Sequence, residues 1–237
     1  MKALILAVQF MTRLPLPAVA ANEKDFAQAI RWFPMAGIFI GLCVAGAAWA
    51  GQRHDPWTGA LAALLVWVAI TGALHLDGLG DIADAAGAAH GDRERLSAVL
   101  ADPHIGSFGV TAIGLQLIAK LILLRLAMGT IPLAALAVVP VAARIGPLFW
   151  TLTLPPLHRG MGTSFGAGAN WPACLAWFLV LDALAWWWSP ALLFALPAMA
   201  IWNLWLRRKI GGISGDGHGA GIELVETATL ALLVLAA

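Results

Sequence analysis

Charge is what this chain of 237 residues has least of: Asp, Glu, Lys and Arg make up 11% of it, against ~25% in an ordinary soluble domain. So few charges cannot clothe a water-facing surface, which excludes a conventional soluble globule. The formal net charge of +1 provides no basic footprint, so no nucleic-acid partner is expected. Tyrosine is absent, and cysteine occurs only as Cys43 and Cys174, both inside apolar runs. Two such cysteines supply neither a disulfide framework nor a zinc site, and both are expected to be small core residues.

What is present is apolar. Hydrophobic residues reach 61%, and mean hydropathy is +0.84. The twelve tryptophans suit an aromatic belt at the two interfaces of a bilayer. Each crossing needs ~20 apolar residues. Runs bounded by Gly, Pro and charge place spans at 33–50, 57–74, 108–127, 131–154, 171–188, 191–206 and 220–237. Lipid offers the backbone no hydrogen-bond partners, and the runs lack the alternation of a barrel strand, so each is expected to be a helix. The fold expected is therefore all-α, a polytopic transmembrane bundle of about seven spans forming one domain over 1–237. Gly37, Gly41 and Gly46 offer small surfaces for close helix packing.

The start of the chain is ambiguous. Met1-Lys2, the apolar run Ala3–Val8 and Ala18-Val19-Ala20 have the outline of a signal peptide, but Arg13, Pro15 and Pro17 interrupt it. Residues 1–30 are expected instead to lie at, or dip into, the membrane surface.

Seven spans sort the cations. Lys2, Arg13, Lys24, Arg31, Arg93, Arg95, Arg159, Arg207, Arg208 and Lys209 fall on one face, Arg53 and Arg125 on the other, and Lys120 and Arg144 within spans. This bias makes the first face cytoplasmic. The longer polar segments, 75–107, 155–170 and 207–219, belong to that same face, where any chemistry is expected.

The most informative string is His75-Leu76-Asp77-Gly78-Leu79-Gly80-Asp81-Ile82-Ala83-Asp84. On a helix, Asp77, Asp81 and Asp84 fan over only ~60°. Like charges so crowded repel unless a cation neutralises them. Oxygen donors alone suit a hard ion such as Mg²⁺, completed by water and substrate phosphate. Solvated acids on an interfacial helix, or an ion-transport site, are the competing readings, although acids at membrane depth cost ~2.5–3.5 kcal/mol each on insertion scales. Asp102 to Gly109, with Pro103 and two glycines, opens a span and could meet an anion at a helix N-terminus. The glycine-rich stretch Gly211–Ala220 is expected to be a flexible loop able to cradle phosphate, with Asp216 as a further metal ligand. Glu223 and Glu226 are expected to pair with Lys120 or Arg144. Arg13, in a proline-fixed apolar turn, is placed to clamp a phosphate or a lipid headgroup.

In this order, Phe10–Pro17, Arg31–Gly41, His75–Asp84, Asp92–Gly109 and Gly211–Ala220 resemble the cobalamin synthase family (adenosylcobinamide-GDP ribazoletransferase) over nearly the whole chain. His-x-Asp-Gly-Leu-x-Asp-x-x-Asp is the specific element. His104 stands where the family pattern has Arg, and Gly217-His218 departs from it too. The resemblance implies a multipass bacterial plasma-membrane enzyme whose active face is cytoplasmic. It would join adenosylcobinamide-GDP to α-ribazole, or its 5′-phosphate, with release of GMP and a need for Mg²⁺. Asp77, Asp81, Asp84, Asp102 and Asp216 become candidate metal ligands, and Asp84 and Asp81 candidate catalytic groups. Arg13, Arg93, Arg95, His104, Ser214 and Gly215 become candidate substrate contacts. Membrane lipid is an expected partner, and a homo-oligomer is left open. A CDP-alcohol phosphotransferase is a neighbouring reading, but Asp77-Gly78 is not followed by that family's Ala-Arg. An ion transporter is a third, but it expects its acids in mid-span.

Overall fold

The computed structural model describes residues 1–89, 93–157 and 161–237, without the side chains of Ala89, Arg93, Met161, Gly162 and Thr163. Its helices are α1 (Lys2–Met11), α2 (Glu23–Gln28), α3 (Phe33–Gln52), α4 (Pro56–Thr71), α5 (Leu74–Ala89), α6 (Arg93–Leu100), α7 (Ser107–Ala127), α8 (Leu133–Ala143), α9 (Gly146–Thr153), α10 (Met161–Gly166), α11 (Trp171–Trp188), α12 (Ala195–Lys209) and α13 (Gly215–Leu235). The all-α expectation holds. Six helical segments are long and apolar enough to cross a membrane, and α4 with α5 makes a seventh if that pair, bent by 83°, counts as one span. Helix α1 is shorter than a crossing and buries Ala7, Val8 and Met11.

The outward faces carry Leu42, Leu61, Leu65, Leu115, Ile118, Leu179 and Ile201, as a lipid-solvated bundle requires. Exposed tryptophans stand at both ends of the spans: Trp32 and Trp171 at one, Trp49, Trp57 and Trp186–Trp188 at the other. The guanidinium of Arg53 lies over Trp49 at 4.5 Å and that of Arg125 over Trp57 at 5.7 Å, so both cations of the sparse face rest on belt tryptophans.

Helix starts follow local chemistry. Asp55 caps α4 by accepting from the amides of Trp57 (2.8 Å) and Thr58 (3.2 Å), with Pro56 at the first helical position. Asn170 caps α11 at Ala173 in the same way (2.8 Å). Helices α3 and α8 pack backbone to backbone. A Cβ on Gly37 would sit 2.6 Å from the Pro140 carbonyl oxygen, and one on Gly41 would collide with the backbone of Ala137. Gly46, expected to share this role, faces open space. Gly41→Val should therefore cost at least ~1–3 kcal/mol by overpacking, and Gly46→Val within about 0.5 kcal/mol. Unfolding midpoints in mixed micelles compare the two directly, and equal midpoints would contradict the packing.

Pro140 breaks the span formed by α8 and α9. Proline removes one backbone donor and crowds the preceding turn. The helix stops at Arg144, whose Nη1 donates to the Pro140 carbonyl at 2.9 Å. Cys174 is buried as expected; Cys43 faces outward, because the inner stripe of α3 is taken by Gly37, Ile40, Gly41 and Val44.

The polar connections meet at one end of the bundle. The Leu157 amide donates to the Ile213 carbonyl (3.0 Å), the Ile213 amide to Pro155 (2.9 Å), and Arg31 Nε to Gly168. Most of the segment 75–107, expected as a loop, is helical as α5 and α6. Arg159 and Asp92 lie outside the described residues.

Candidate active site at the crossing of α5 and α13

The site begins with a bend. Helix α4 ends on Gly72 (φ +61°), followed by Ala73 (φ +58°), both in the left-handed region. Glycine takes this conformation freely; an alanine there costs ~1–2 kcal/mol. The Arg13 amide donates to the Ile70 carbonyl at 2.7 Å, satisfying one of the orphaned carbonyls of α4. The Arg13 side chain lies against Gly72, and a Cβ there would strike it. Arg13 thus belongs to the corner that aims α5.

Helix α5 presents its acids at a crossing with α13. A Cβ on Gly78 would lie 2.9 Å from the backbone of Asp216, and one on Gly219 would lie 3.2 Å from His75 Cα. These glycines let the two backbones touch. Asp77 is exposed and Asp81 half-buried. The charges acting on Asp81 are those of Asp216, Asp77 and Asp84, in falling order. The sequence-predicted acids of α5 and Asp216 are therefore one electrostatic cluster.

Asp84 has a further task. It is 8% exposed, and its Oδ2 accepts from the Gly106 amide (2.7 Å) while Oδ1 accepts from Gly109 (2.9 Å). The carboxylate occupies the N-terminus of α7, the place expected to meet a substrate anion. A Cβ on Gly106 or Gly109 would strike Asp84, so both glycines serve this docking. Asp102 stands apart on an exposed turn. Hydrogen bonds from His104, first from its backbone amide (3.0 Å) and then from Nδ1 (2.7 Å), hold its carboxyl below the usual carboxylate range. Asp102 is not among the acids whose charge reaches Asp81.

The glycine-rich stretch is a helix start, which corrects the loop expectation. Ser214 caps α13, its Oγ accepting from the Gly217 amide at 3.0 Å and donating to Asp216 Oδ2 at 3.4 Å. Gly217, Gly219 and Gly221 are packing positions within α13, and Gly221 meets Trp150 and Trp202. Gly215 is exposed with open space around it. Arg95 is exposed on α6, and the Arg93 side chain lies outside the described residues.

A cavity of about 170 Å³ opens beside the acids. Asp77 and Asp216 lie on its wall with His75 and His218, and Phe10, Phe33 and Phe165 complete it. Beneath His75 lies a buried charge network. Lys120 Nζ donates to Glu223 (2.7 Å) and Glu226 (2.6 Å), and Arg144 Nη1 to the other oxygen of Glu226 (2.8 Å). Gln116 Nε2 donates to Glu223 Oε2 at 2.9 Å. The expected pairing of Glu223 and Glu226 with these cations is present. Two cations balance two anions, so the mid-span acids form a closed structural network rather than an open ion path.

A sequence profile of the cobalamin-5-phosphate synthase family matches residues 3–234. The chain belongs to this family. A protein of Novosphingobium aromaticivorans named adenosylcobinamide-GDP ribazoletransferase is 56% identical over 97% of this chain and 95% of its own length. Proteins of the same name from Thiobacillus denitrificans and Brevibacillus brevis are 47% and 31% identical, covering 98% and 99% of this chain and 94% and 98% of their own. No solved structure matches. Within this cobalamin-5-phosphate synthase, sequence reasoning overlooked His75 and His218 as cavity residues. The signal available was a histidine set between glycines at Gly217-His218-Gly219, where a side chain must fit a tight crossing.

Proposed function

We propose that this chain transfers the cobinamide phosphate of adenosylcobinamide-GDP to a hydroxyl of α-ribazole, or of its 5′-phosphate, and releases GMP. The observation that carries this reading is the meeting of Asp77 and Asp81 on α5 with Asp216 on α13 at the mouth of one cavity. Family membership supports it over a CDP-alcohol phosphotransferase. The excess of Lys and Arg at the site's end of the bundle supports a cytoplasmic active face in the bacterial plasma membrane.

The donor set suits Mg²⁺. Among the described residues, no three His, Cys, Asp or Glu side chains converge into a cage of their own. Mg²⁺ prefers one or two carboxylates, with water and substrate phosphate completing its shell. Asp77 and Asp216, which share the cavity, would hold it, with Asp81 beside them. When bound, the ion neutralises charge on the diphosphate and the departing GMP. The ribazole hydroxyl oxygen bonds to the phosphorus nearer the cobinamide as the bridging P–O bond breaks, and its proton passes to a carboxylate. Half-buried Asp81 is the better placed acceptor, because both Asp84 oxygens already accept backbone N–H groups. Arg13, Arg93, Arg95, His104 and Gly215 remain candidate contacts for the phosphates and ribose, and Asp102 a peripheral acid.

The direct test is the purified protein in lipid nanodiscs with adenosylcobinamide-GDP and α-ribazole, with GMP followed by chromatography. GMP should require both the acceptor and Mg²⁺ and should vanish with EDTA. Equal GMP release in EDTA would remove the metal from the reading.

A further inference from the structure

The cavity beside the acids has chemistry that the phosphates do not use. Its inner wall is aromatic: the rings of Phe10 and Phe33 are nearly parallel with centroids 5.7 Å apart, and Phe165 meets them edge-on at 5.3 and 5.2 Å. Its volume of about 170 Å³ compares with the ~150 Å³ apolar cavity that takes up benzene. Two buried histidines also line it, His75 at 3% and His218 at 7% exposure. His75 Nε2 and His218 Nδ1 have no hydrogen-bond partner in the protein. Buried polar atoms left unpaired cost ~1–3 kcal/mol each, so a group inside the cavity that satisfied them would be favoured.

The tautomer of His75 follows from its neighbour. Arg144 Nη2 lies 3.4 Å from His75 Nδ1. A guanidinium only donates, so Nδ1 accepts and the ring proton resides on Nε2. The unpartnered nitrogen of His75 is therefore an N–H donor seeking an acceptor.

We infer that this cavity receives the flat aromatic base of the acceptor nucleoside, with His75 Nε2–H donating to the base's bare ring nitrogen. The inference rests on the ribazole acceptor proposed above. A benzimidazole has one in-plane acceptor nitrogen and an otherwise apolar rim, which suits phenylalanine walls and one donor. The guanine of the other substrate suits them poorly: its edge carries several donors and acceptors that would be buried against Phe10, Phe33 and Phe165 without partners. With the base inside, the sugar points toward Asp77 and Asp216 at the mouth, where a hydroxyl meets the diphosphate.

Calorimetry on the full chain in nanodiscs tests this without turnover. The probes are α-ribazole and its indole counterpart, the same sugar on a ring whose bare nitrogen is replaced by C–H. The wild type should bind α-ribazole about 10- to 100-fold more tightly than the indole compound. His75→Phe should bring the two within about 2-fold, and His75→Gln, which keeps an N–H donor, should restore the preference. Leu74→Trp, which narrows the cavity, should weaken both. Equal binding of the two compounds by the wild type, or a preference that survives in His75→Phe, overturns the inference. So does displacement of α-ribazole by GDP in simple competition, which would place guanine in the cavity. A preparation that releases GMP with α-ribazole yet shows no preference fails this inference alone. One that shows the preference but releases no GMP fails the proposed reaction alone.

Discussion

Glu226→Gln should destabilise the bundle by about 3–5 kcal/mol, the cost of leaving buried charge uncompensated. Glu226 is fully buried and divides its two oxygens between Lys120 and Arg144. Glutamine can offer its carbonyl oxygen to only one of them and turns an N–H₂ donor toward the other cation. Lipid supplies no water to repair the loss. Glu223→Gln should cost less, because Lys120 keeps Glu226 and Gln116 can still donate to the new carbonyl. The double variant Arg144→Met/Glu226→Met removes one cation and one anion together and leaves the neutral Lys120–Glu223 pair. It should be less damaging than either single change, a coupling that a double-mutant cycle reads. Unfolding by SDS titration in mixed micelles measures all four variants. A Glu226→Gln midpoint equal to that of the wild type would mean the network does not hold these helices together.

The spans were legible because each is a long apolar run closed by Gly, Pro or charge, a pattern that lipid solvation imposes on any sequence. The acidic face of α5 was legible for a related reason: three carboxylates at helical spacing beside a span have no packing explanation. The start of α13 was misread because alternate glycines at Gly215, Gly217, Gly219 and Gly221 suit either a loose loop or a close helix crossing, and only the partner chain segment decides. Here His75, Gly78, Trp150 and Trp202 occupy the space that side chains would need. The N-terminus of α7 looked like an open anion site, and its anion proved to be Asp84, 22 residues before Gly106. The aromatic cavity could not be seen in sequence, since Phe10, Phe33 and Phe165 come from three separate segments joined only by the fold.

Asp81→Asn should lower GMP release by about 10³-fold or more while leaving membrane expression and unfolding midpoint near those of the wild type. The three acids whose charge reaches Asp81 would repel it less after the change, so folding has no reason to suffer. Chemistry does: an amide can neither take the hydroxyl proton nor carry the negative charge a divalent ion requires. Removing a catalytic acid–base group alone forfeits ~10²–10⁴ in rate, and a weakened metal site adds to that. Asp84→Asn makes the opposite forecast. Its amide nitrogen would face the N–H of Gly106 or Gly109, so the start of α7 should loosen and the unfolding midpoint fall with activity. Titrating Mg²⁺ separates the two roles left to Asp81. If excess Mg²⁺ restores the Asp81→Asn rate, the residue serves the ion; if the rate stays low at saturating Mg²⁺, it serves the proton. Near-normal GMP release from Asp81→Asn at ordinary Mg²⁺ would exclude both, and would move the reacting phosphorus away from the crossing of α5 and α13.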